Sequence, residues 1–582
     1  MSHEFVFLLS KNINRFILNK IFNMKKILII TLIILLNSCT NQDKRPNILF
    51  IMSDDHAYQA VSAYSDKLIN TPNIDRIADE GILFTNACVT NSICAPSRAT
   101  ILTGKFSHLN GKIDNHAKFD TTQVTFPQLF KKAGYQTAMF GKLHFGNNPK
   151  GVDDFLILPG QGHYINPKFL GKKSDTLITG YVTDIITDLT LDWFKNKMDK
   201  EKPFMMMYLH KAPHRAWWPS PEKFAEFYEK EFPLPETLFD DYSNRATAAA
   251  SAEMNILNHM HLMQDNKVYP QTIKQMGDLV KDITYTGESR KIKKASAWEF
   301  NYPFRRANKD QEEKYRKTLN KISDDFKTKW PNMSDQEKTI WKYQRYMQDY
   351  LATISSVDDN VGRVLDYLKE NDLEDNTLVV YTSDQGFYLG EHGWFDKRFI
   401  YNESFKTPLL IRWPNKIRAG ISNDEMVQNL DFAQTFLEAA SIKAPEDMQG
   451  ESLLPLLFED QKKWTRESVY YHYYEFPSVH MVKRHYGIVS KEYKLVHYYY
   501  DIDEWEFFDR KADPKELMNL YDHPKYQGII LKMKRKLKKL RKKYIPGPIG
   551  VMARNSHNDL IRFHCAWYPQ KKLADGLKET YQ

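Results

Sequence analysis

Four short strand-like runs, each closing on a cluster of polar residues, constrain this chain more than any other feature. Asn47-Ile48-Leu49-Phe50-Ile51-Met52 runs into Ser53-Asp54-Asp55-His56, and Tyr135-Gln136-Thr137-Ala138-Met139-Phe140 into Gly141-Lys142-Leu143-His144. Phe204 to Leu209 runs into His210, Pro213 and His214, and Leu378 to Thr382 into Ser383-Asp384-Gln385-Gly386. Near-continuous apolar runs of this length, without alternation, belong to parallel strands buried on both faces. Thr71 to Ala78, Phe126 to Ala133 and Tyr350 to Glu370 read as helices, the last with Ile354, Val357, Val361, Leu365 and Leu368 on one face. Ile82-Leu83-Phe84 and Pro408 to Ile411 supply further strands. The expected fold class is α/β: a large mixed, mostly parallel sheet sandwiched by helices. Open sheets of this kind bind ligands beyond the carboxyl ends of their strands, where all four polar clusters fall.

At 582 residues the chain exceeds one typical domain, and its 42% hydrophobic and 27% charged residues exclude a disordered chain. From about 233 to 342 the pattern becomes Lys-, Glu-, Asn- and aromatic-rich, as in an insertion over the core. From about Trp464, short strands such as Tyr486 to Val489 and Tyr493 to Val496 suggest a smaller C-terminal antiparallel-sheet subdomain. There is no internal repeat and no Gly-rich nucleotide fingerprint. The formal net charge of +9 suits an anionic substrate. It also has a local source in Lys532 to Lys543, where Ile530, Met533, Leu537, Leu540 and Tyr544 recur at helical spacing. That stretch reads as a packed helix with a solvated basic face, and no nucleic-acid partner is expected.

Met24-Lys25-Lys26 and the apolar run Ile27 to Leu36 have the form of a signal peptide, too short to span a bilayer. Leu36-Asn37-Ser38-Cys39 looks like a bacterial lipobox, with Cys39 the lipidated residue. The expectation is a cell-envelope lipoprotein, periplasmic or anchored at the outer-membrane surface, touching the membrane through its lipid alone. Residues 1–23 then form an upstream extension, 24–39 the signal, 45–463 the catalytic domain, and 464–582 the C-terminal subdomain and tail. The four cysteines, Cys39, Cys88, Cys94 and Cys565, give no disulfide framework.

Adjacent carboxylates such as Asp54 and Asp55 repel unless a cation joins them. With Asp384 and Gln385 they offer the oxygen ligands of a hard divalent ion, Ca²⁺ or Mg²⁺. Lys142 and His144 alternate onto one side of an extended chain. Cys94-Ala95-Pro96-Ser97-Arg98 opens a helix that Gly104 stops, since Pro is tolerated in a first turn. Cys94 thus lies at a helix N-terminus, which favours an anion, and Arg98 adds a cation suited to tetrahedral oxyanions.

The run from Cys94 to Arg98, followed by Thr103-Gly104-Lys105, resembles the signature of the type I sulfatases of the alkaline-phosphatase-like superfamily. Gly141-Lys142-Leu143-His144, Pro213-His214 and Asp396-Lys397-Arg398 match their pattern too, closest to that of bacterial carbohydrate sulfatases. The resemblance implies that a formylglycine-generating maturation enzyme oxidises Cys94 to formylglycine (3-oxoalanine). It implies Ca²⁺, rather than Mg²⁺, on Asp54, Asp55, Cys94, Asp384 and Gln385, the last replacing the Asn or His of many sulfatases. Arg98, Lys142 and Lys397 would stabilise charge on the sulfate, His144 would accept a proton, and His214, chosen over His210, would protonate the leaving alkoxide with Lys397. His392, Arg398, His480, Arg484 and His485 are candidate sugar contacts, although His392 and Arg398 could instead brace their loop. The implied function is a sulfuric ester hydrolase acting on a sulfated polysaccharide or oligosaccharide, algal (ulvan, carrageenan) or host-derived. An N-acetylglucosamine-6-O-sulfatase acting on glycosaminoglycan or mucin glycans is one alternative. A non-catalytic polysaccharide-binding lipoprotein on the same scaffold is the other.

Overall fold

The computed structural model describes residues 45–280, 300–302 and 304–545; the signal-like segment, Cys39 and Cys565 lie outside them. In chain order the central sheet contains β1 (Asn47–Ser53), β2 (Ile82–Phe84), β3 (Gln136–Gly141), β4 (Asp154–Ile157), β5 (Lys168–Gly171) and β6 (Thr176–Leu177). It continues with β7 (Phe204–Leu209), β8 (Thr377–Ser383), β9 (Leu409–Arg412) and β10 (Ile421–Asn423). The order across it is β10-β2-β9-β8-β1-β7-β3-β4-β5-β6. β8, β1, β7, β3 and β4 run parallel, while β9 and β5 flank them antiparallel.

The register aligns the strand ends that matter. Ser53 pairs with Ser383, and Met52 and Gly141 both pair with Leu209. The backbone stays tied one residue further on: Asp384 N donates to Ser53 O (3.2 Å), Lys142 N to Leu209 O (3.0 Å) and His210 N to Met52 O (2.8 Å). Gly141 permits this, because a Cβ there would lie 1.7 Å from the Leu209 carbonyl oxygen. Four polar clusters from distant parts of the sequence therefore emerge side by side.

Alternate residues of β1 face opposite cores, as the period of a strand requires. Leu49 and Ile51 pack with α1 (Pro72–Asp79), whereas Ile48, Phe50 and Met52 pack against α2 (Cys94–Thr103) and its neighbours. The first face is covered by α3 (Val182–Asn196) and by α5 (Asp335–Glu370), which follows α4 (Lys309–Lys329). At about 1.5 Å per residue, α5 is about 54 Å long. It starts well before the Tyr350 expected from its apolar stripe, because Ser334 and Glu337 form a reciprocal capping box. Among the described residues, the inserted segment has no separate core: Leu262, Val268, Phe300, Leu319, Phe326 and Trp341 join the cluster containing Leu49 and Val361.

The C-terminal part is an antiparallel meander, β11 (Ser468–Tyr473), β12 (His485–Ser490), β13 (Tyr493–Tyr498) and β14 (Glu504–Asp509), followed by α6 (Gln527–Tyr544). One sheet face packs on Ile530, Met533 and Leu537 of α6; the other packs on Ile93, Trp394, Phe399 and Tyr401 of the catalytic part. Within Gln527–Tyr544 stand nine Lys and Arg and no acidic residue, matching the net +9 of the whole chain. This helix is thus one strong local source of the positive charge. Among the described residues, no helix is long and apolar enough to cross a membrane.

Candidate active site

The residues singled out at the strand ends meet. Asp54 and Asp55 beyond β1, Cys94 at the start of α2 and His214 beyond β7 each place a potential ligand atom within 4.8 Å of the others. Asp384, beyond β8, accepts Asp55 N through Oδ1 (3.1 Å) and Arg98 Nε through Oδ2 (2.8 Å). The Gln385 amide nitrogen bonds Asp55 Oδ1 and lies 3.4 Å from Cys94 Sγ. Three cations border the carboxylates. Lys142 Nζ bonds Asp54 Oδ2, Lys397 Nζ is 2.7 Å from Asp55 Oδ2, and Arg98 Nη2 is 3.5 Å from Asp54 Oδ1. Ser97 Oγ donates to the Asp384 carbonyl and Arg98 Nη1 to that of Lys142, so the first turn of α2 is bolted to two strand ends.

The donor set suits a divalent cation. Three carboxylates are fully buried together, and Asp54 Oδ1 and Gln385 Oε1 are buried without a hydrogen-bond partner among the described residues. Burial and then the Asp54 charge push Asp384 up to about 7, as expected where carboxylates crowd without a metal. Burial opposes the charge of Lys397, yet Asp396 and Asp55 hold its ammonium above the usual range. Burial pushes the Cys94 thiol up, so an unmodified side chain keeps its proton at neutral pH and is a poor nucleophile. His144 and His214 are both held well below the usual imidazole range, by burial first and Lys142 second. His214 Nδ1 faces the Arg215 carbonyl at 2.5 Å, which leaves the Nε2 lone pair 3.8 Å from Asp55 Oδ2.

The loop after β8 adds a second layer. Asp55, His144, His392, Asp396, Arg398 and His480 all have positive φ, between 57° and 110°. Such a concentration of uncommon backbone marks a functional region. Arg398 Nε is 3.2 Å from Asp396 Oδ1, and His480 Nε2 is 3.3 Å from Asp396 Oδ2. Both residues thus border the Lys397 segment. Arg484 and His485 depart from the expectation of sugar contacts, and His392 takes the loop-bracing alternative. His392 is fully buried between Asp240 (3.1 Å) and Glu403 (3.6 Å), which outweigh burial and hold its imidazolium up to about 9. Arg484 bonds the Phe476 carbonyl and covers the Tyr500 ring, and His485 is stacked between Tyr471 and Tyr473. These three brace loops and fill the core. His210 has no exposed surface and lies against the Tyr208 ring, away from the role given to His214.

Two residues escaped the sequence reading. Asn115 Oδ1 accepts Ala95 N (3.1 Å) at the start of α2, and Asn115 N donates to Glu475 Oε2 (3.0 Å). Glu475 Oε1 in turn meets Arg398 Nη1 at 3.3 Å. Neither residue sits in a local pattern; only the fold brings them to the site.

Residues 46–442 match the family described as Sulfatase, and residues 390–543 match the C-terminal region of N-sulphoglucosamine sulphohydrolase. An N-acetylglucosamine-6-O-sulfatase of Bacteroides thetaiotaomicron is 45% identical, over 88% of this chain and 89% of its own. An arylsulfatase of Clostridium perfringens is 26% identical, over 84% and 92%. The solved structure of BT4656 in complex with its substrate D-glucosamine-2-N,6-O-disulfate superposes with a TM-score of 0.79 at 44% identity, covering 86% of this chain and 98% of that one. Matched over this length by family and relative alike, the chain belongs to the sulfatase family and is a sulfatase.

Proposed function

We propose that this sulfatase removes sulfate from sulfated glycans, with a 6-O-sulfated glucosamine as the preferred unit, through a formylglycine at position 94 and a bound Ca²⁺. The meeting of Cys94 with Asp54, Asp55 and His214 inside 4.8 Å carries the reading. The sugar preference is supported by the 45% identical N-acetylglucosamine-6-O-sulfatase and by the glucosamine disulfate bound to the 44% identical structure. Ulvan, carrageenan and mucin glycans are the wider alternatives.

Asp54, Asp55, Asp384 and Gln385 would hold the ion, with side chain 94 at its edge. Oxygen-only donors of this kind favour Ca²⁺ over softer metals. The ion supplies Lewis-acid polarisation of the sulfate oxygens and lowers the pKa of the attacking hydroxyl. Hydrated formylglycine supplies two hydroxyls, one to attack sulfur and one whose deprotonation expels the sulfate. Within the inner set, the three cations Arg98, Lys142 and Lys397 match the three carboxylates Asp54, Asp55 and Asp384. The charge of a bound divalent ion would then be left to offset the ester anion and the ionised nucleophile.

Arg98, Lys142 and Lys397 orient the sulfate and stabilise the charge it gains on transfer. His144, held neutral, takes a proton from side chain 94. His214 delivers a proton to the departing sugar oxygen, taking it up as the ester anion offsets Lys142. Lys397, which keeps its ammonium, hydrogen-bonds the same region. Delivery to the cell envelope with a lipid on Cys39, and oxidation of Cys94 by a maturation enzyme, complete the proposal.

Peptide mass spectrometry around residue 94, combined with sulfate release from N-acetylglucosamine-6-sulfate, ulvan, carrageenan and mucin oligosaccharides, tests it. Expected is an oxidised residue 94 and fastest release from the glucosamine. An unmodified thiol in protein from the native host would favour a binding protein. An oxidised residue 94 with no release from any glucosamine sulfate would overturn the sugar assignment.

A further inference from the structure

One cation beside the catalytic cluster has no counterpart among the described residues. Lys211 lies between β7 and His214 and is only 3% exposed. Among the described residues, no carboxylate and no hydrogen-bond acceptor meets its ammonium, which rests on the Tyr164 ring 4.7 Å from the centroid. Every other buried lysine has a partner. Lys142 and Lys397 pair with Asp54 and Asp55, Lys105 with Asp447 and Lys494 with Glu516. Lys267 bonds three carbonyls near Asp349, Lys342 bonds the Leu257 and Met260 carbonyls, and Lys112 bonds that of Ala117. A side chain this buried strips its ammonium of most of its hydration, which is costly with no anion beside it, and proteins seldom keep such a group without use for it.

Its surroundings tie it to His214, the residue assigned to the leaving group. The Tyr164 hydroxyl donates to the His214 carbonyl at 2.6 Å, so the ring beneath Lys211 also fixes the residue that serves the leaving group. The three cations assigned to the transferred sulfate each touch a carboxylate of the metal group, whereas Lys211 touches none. Burial and the Lys142 ammonium push Lys211 down to about 7, while Asp54, Asp55 and Cys94 act the other way, which puts it within the field of the catalytic cluster. Around it the charge is positive again: His163, next to Tyr164 in sequence, is pushed down to about 4 by burial, Arg306, Lys211 and Arg305. A site with this sign, a few residues from the proton donor, is built for an anion that the protein itself does not provide.

We propose that Lys211 anchors a second anionic group of the substrate, a sulfamate, sulfate or carboxylate on the sugar being desulfated or on the one next to it. The proposal rests on the glycan reading given above. Such an anchor acts on binding, so its loss should appear in KM more than in kcat.

The test compares formylglycine-bearing wild type, Lys211→Met and Lys211→Arg. The substrates are glucosamine-2-N,6-O-disulfate, N-acetylglucosamine-6-sulfate, and a disaccharide joining the latter sugar to a uronic acid. For Lys211→Met, the kcat/KM of a doubly anionic substrate relative to N-acetylglucosamine-6-sulfate should fall by about 10- to 100-fold, the size of a lost charge-assisted hydrogen bond, mainly through KM. Lys211→Arg should recover much of it. A fall on the disulfate assigns the group to the same sugar, and a fall on the uronic disaccharide to its neighbour. Unchanged ratios on both would overturn the proposal, leaving Lys211 as packing or as a contact of the transferred sulfate. Should wild type release no sulfate, calorimetric binding of the disulfate to Cys94→Ala and Cys94→Ala/Lys211→Met decides separately. Weaker binding by the double variant upholds the anchor while the hydrolytic reading falls, and equal affinity or no binding overturns it.

Discussion

Replacing His214 by Ala separates two duties that the geometry allows one imidazole. Its Nε2 lies 3.8 Å from Asp55 Oδ2, close enough to belong to the metal group, yet the side chain keeps 12% of its surface and so reaches toward bound substrate. Its Nδ1 is committed to the Arg215 carbonyl, so Nε2 alone can act. As general acid it should be worth about 10²- to 10⁴-fold in kcat, or about 2.7–5.4 kcal/mol of barrier, for a sugar alkoxide that leaves poorly without a proton. An aryl sulfate such as 4-nitrophenyl sulfate expels a stable phenolate, and there the loss should stay below about 10-fold. Sulfate release measured by ion chromatography on both substrates, at saturating Ca²⁺ and with metal content checked by mass spectrometry, gives the answer. Equal losses on the two substrates would refute proton delivery and leave His214 as a metal or sulfate ligand.

Cys94→Ala should abolish turnover while costing about 1 kcal/mol of stability or less, since only a small buried atom is removed; near-wild-type rates in the purified variant would refute the nucleophile. Chelation should remove activity and lower Tm, because a metal held at about 100 times its Kd adds about 2.7 kcal/mol, and Ca²⁺ should restore both better than Mg²⁺. A Tm indifferent to chelator would mean that no ion sits among Asp54, Asp55 and Asp384. Glu506 accepts Ala246 N and the Tyr401 and Tyr498 hydroxyls, and burial pushes its carboxyl up to about 7. The folded chain therefore holds this proton more tightly than the unfolded one. That stability is complete below about 4.5 and is lost as pH rises through about 7, at most about 3 kcal/mol. Glu506→Gln should flatten the change in urea midpoint between about pH 5 and pH 8, and an unaltered slope would show that the carboxyl does not titrate there.

What the sequence disclosed, and what it withheld, follows the range of the interactions. The strands around β1 were legible because burial on both faces leaves a local apolar signature, and their polar ends were legible because each lies next to its own strand. The inserted segment was not, because Leu262, Phe326 and Trp341 have a core only when folded against residues such as Leu49 and Val361. The early start of α5 had a local signal in Ser334 and Glu337, outweighed in reading by the polar composition of its first turns. The roles of His392 and His485 stayed open in the sequence because a histidine near a catalytic motif gives no sign of whether it faces ligand or core. Lys211 and Glu475 carry no motif, and their meaning comes from what surrounds them: the Tyr164 ring, with no carboxylate among the described residues, in one case, and Arg398 and Asn115 in the other.

Glu475 makes the C-terminal sheet more than an appendage. Its carboxylate, delivered just past β11, touches both the stretch that supports the opening of α2 and the arginine beside Lys397. A truncated protein ending before this strand would lose a strut of the catalytic cavity along with a lobe. Hybrids that graft one relative's meander onto another's catalytic half should work only where this carboxylate and its two correspondents travel together.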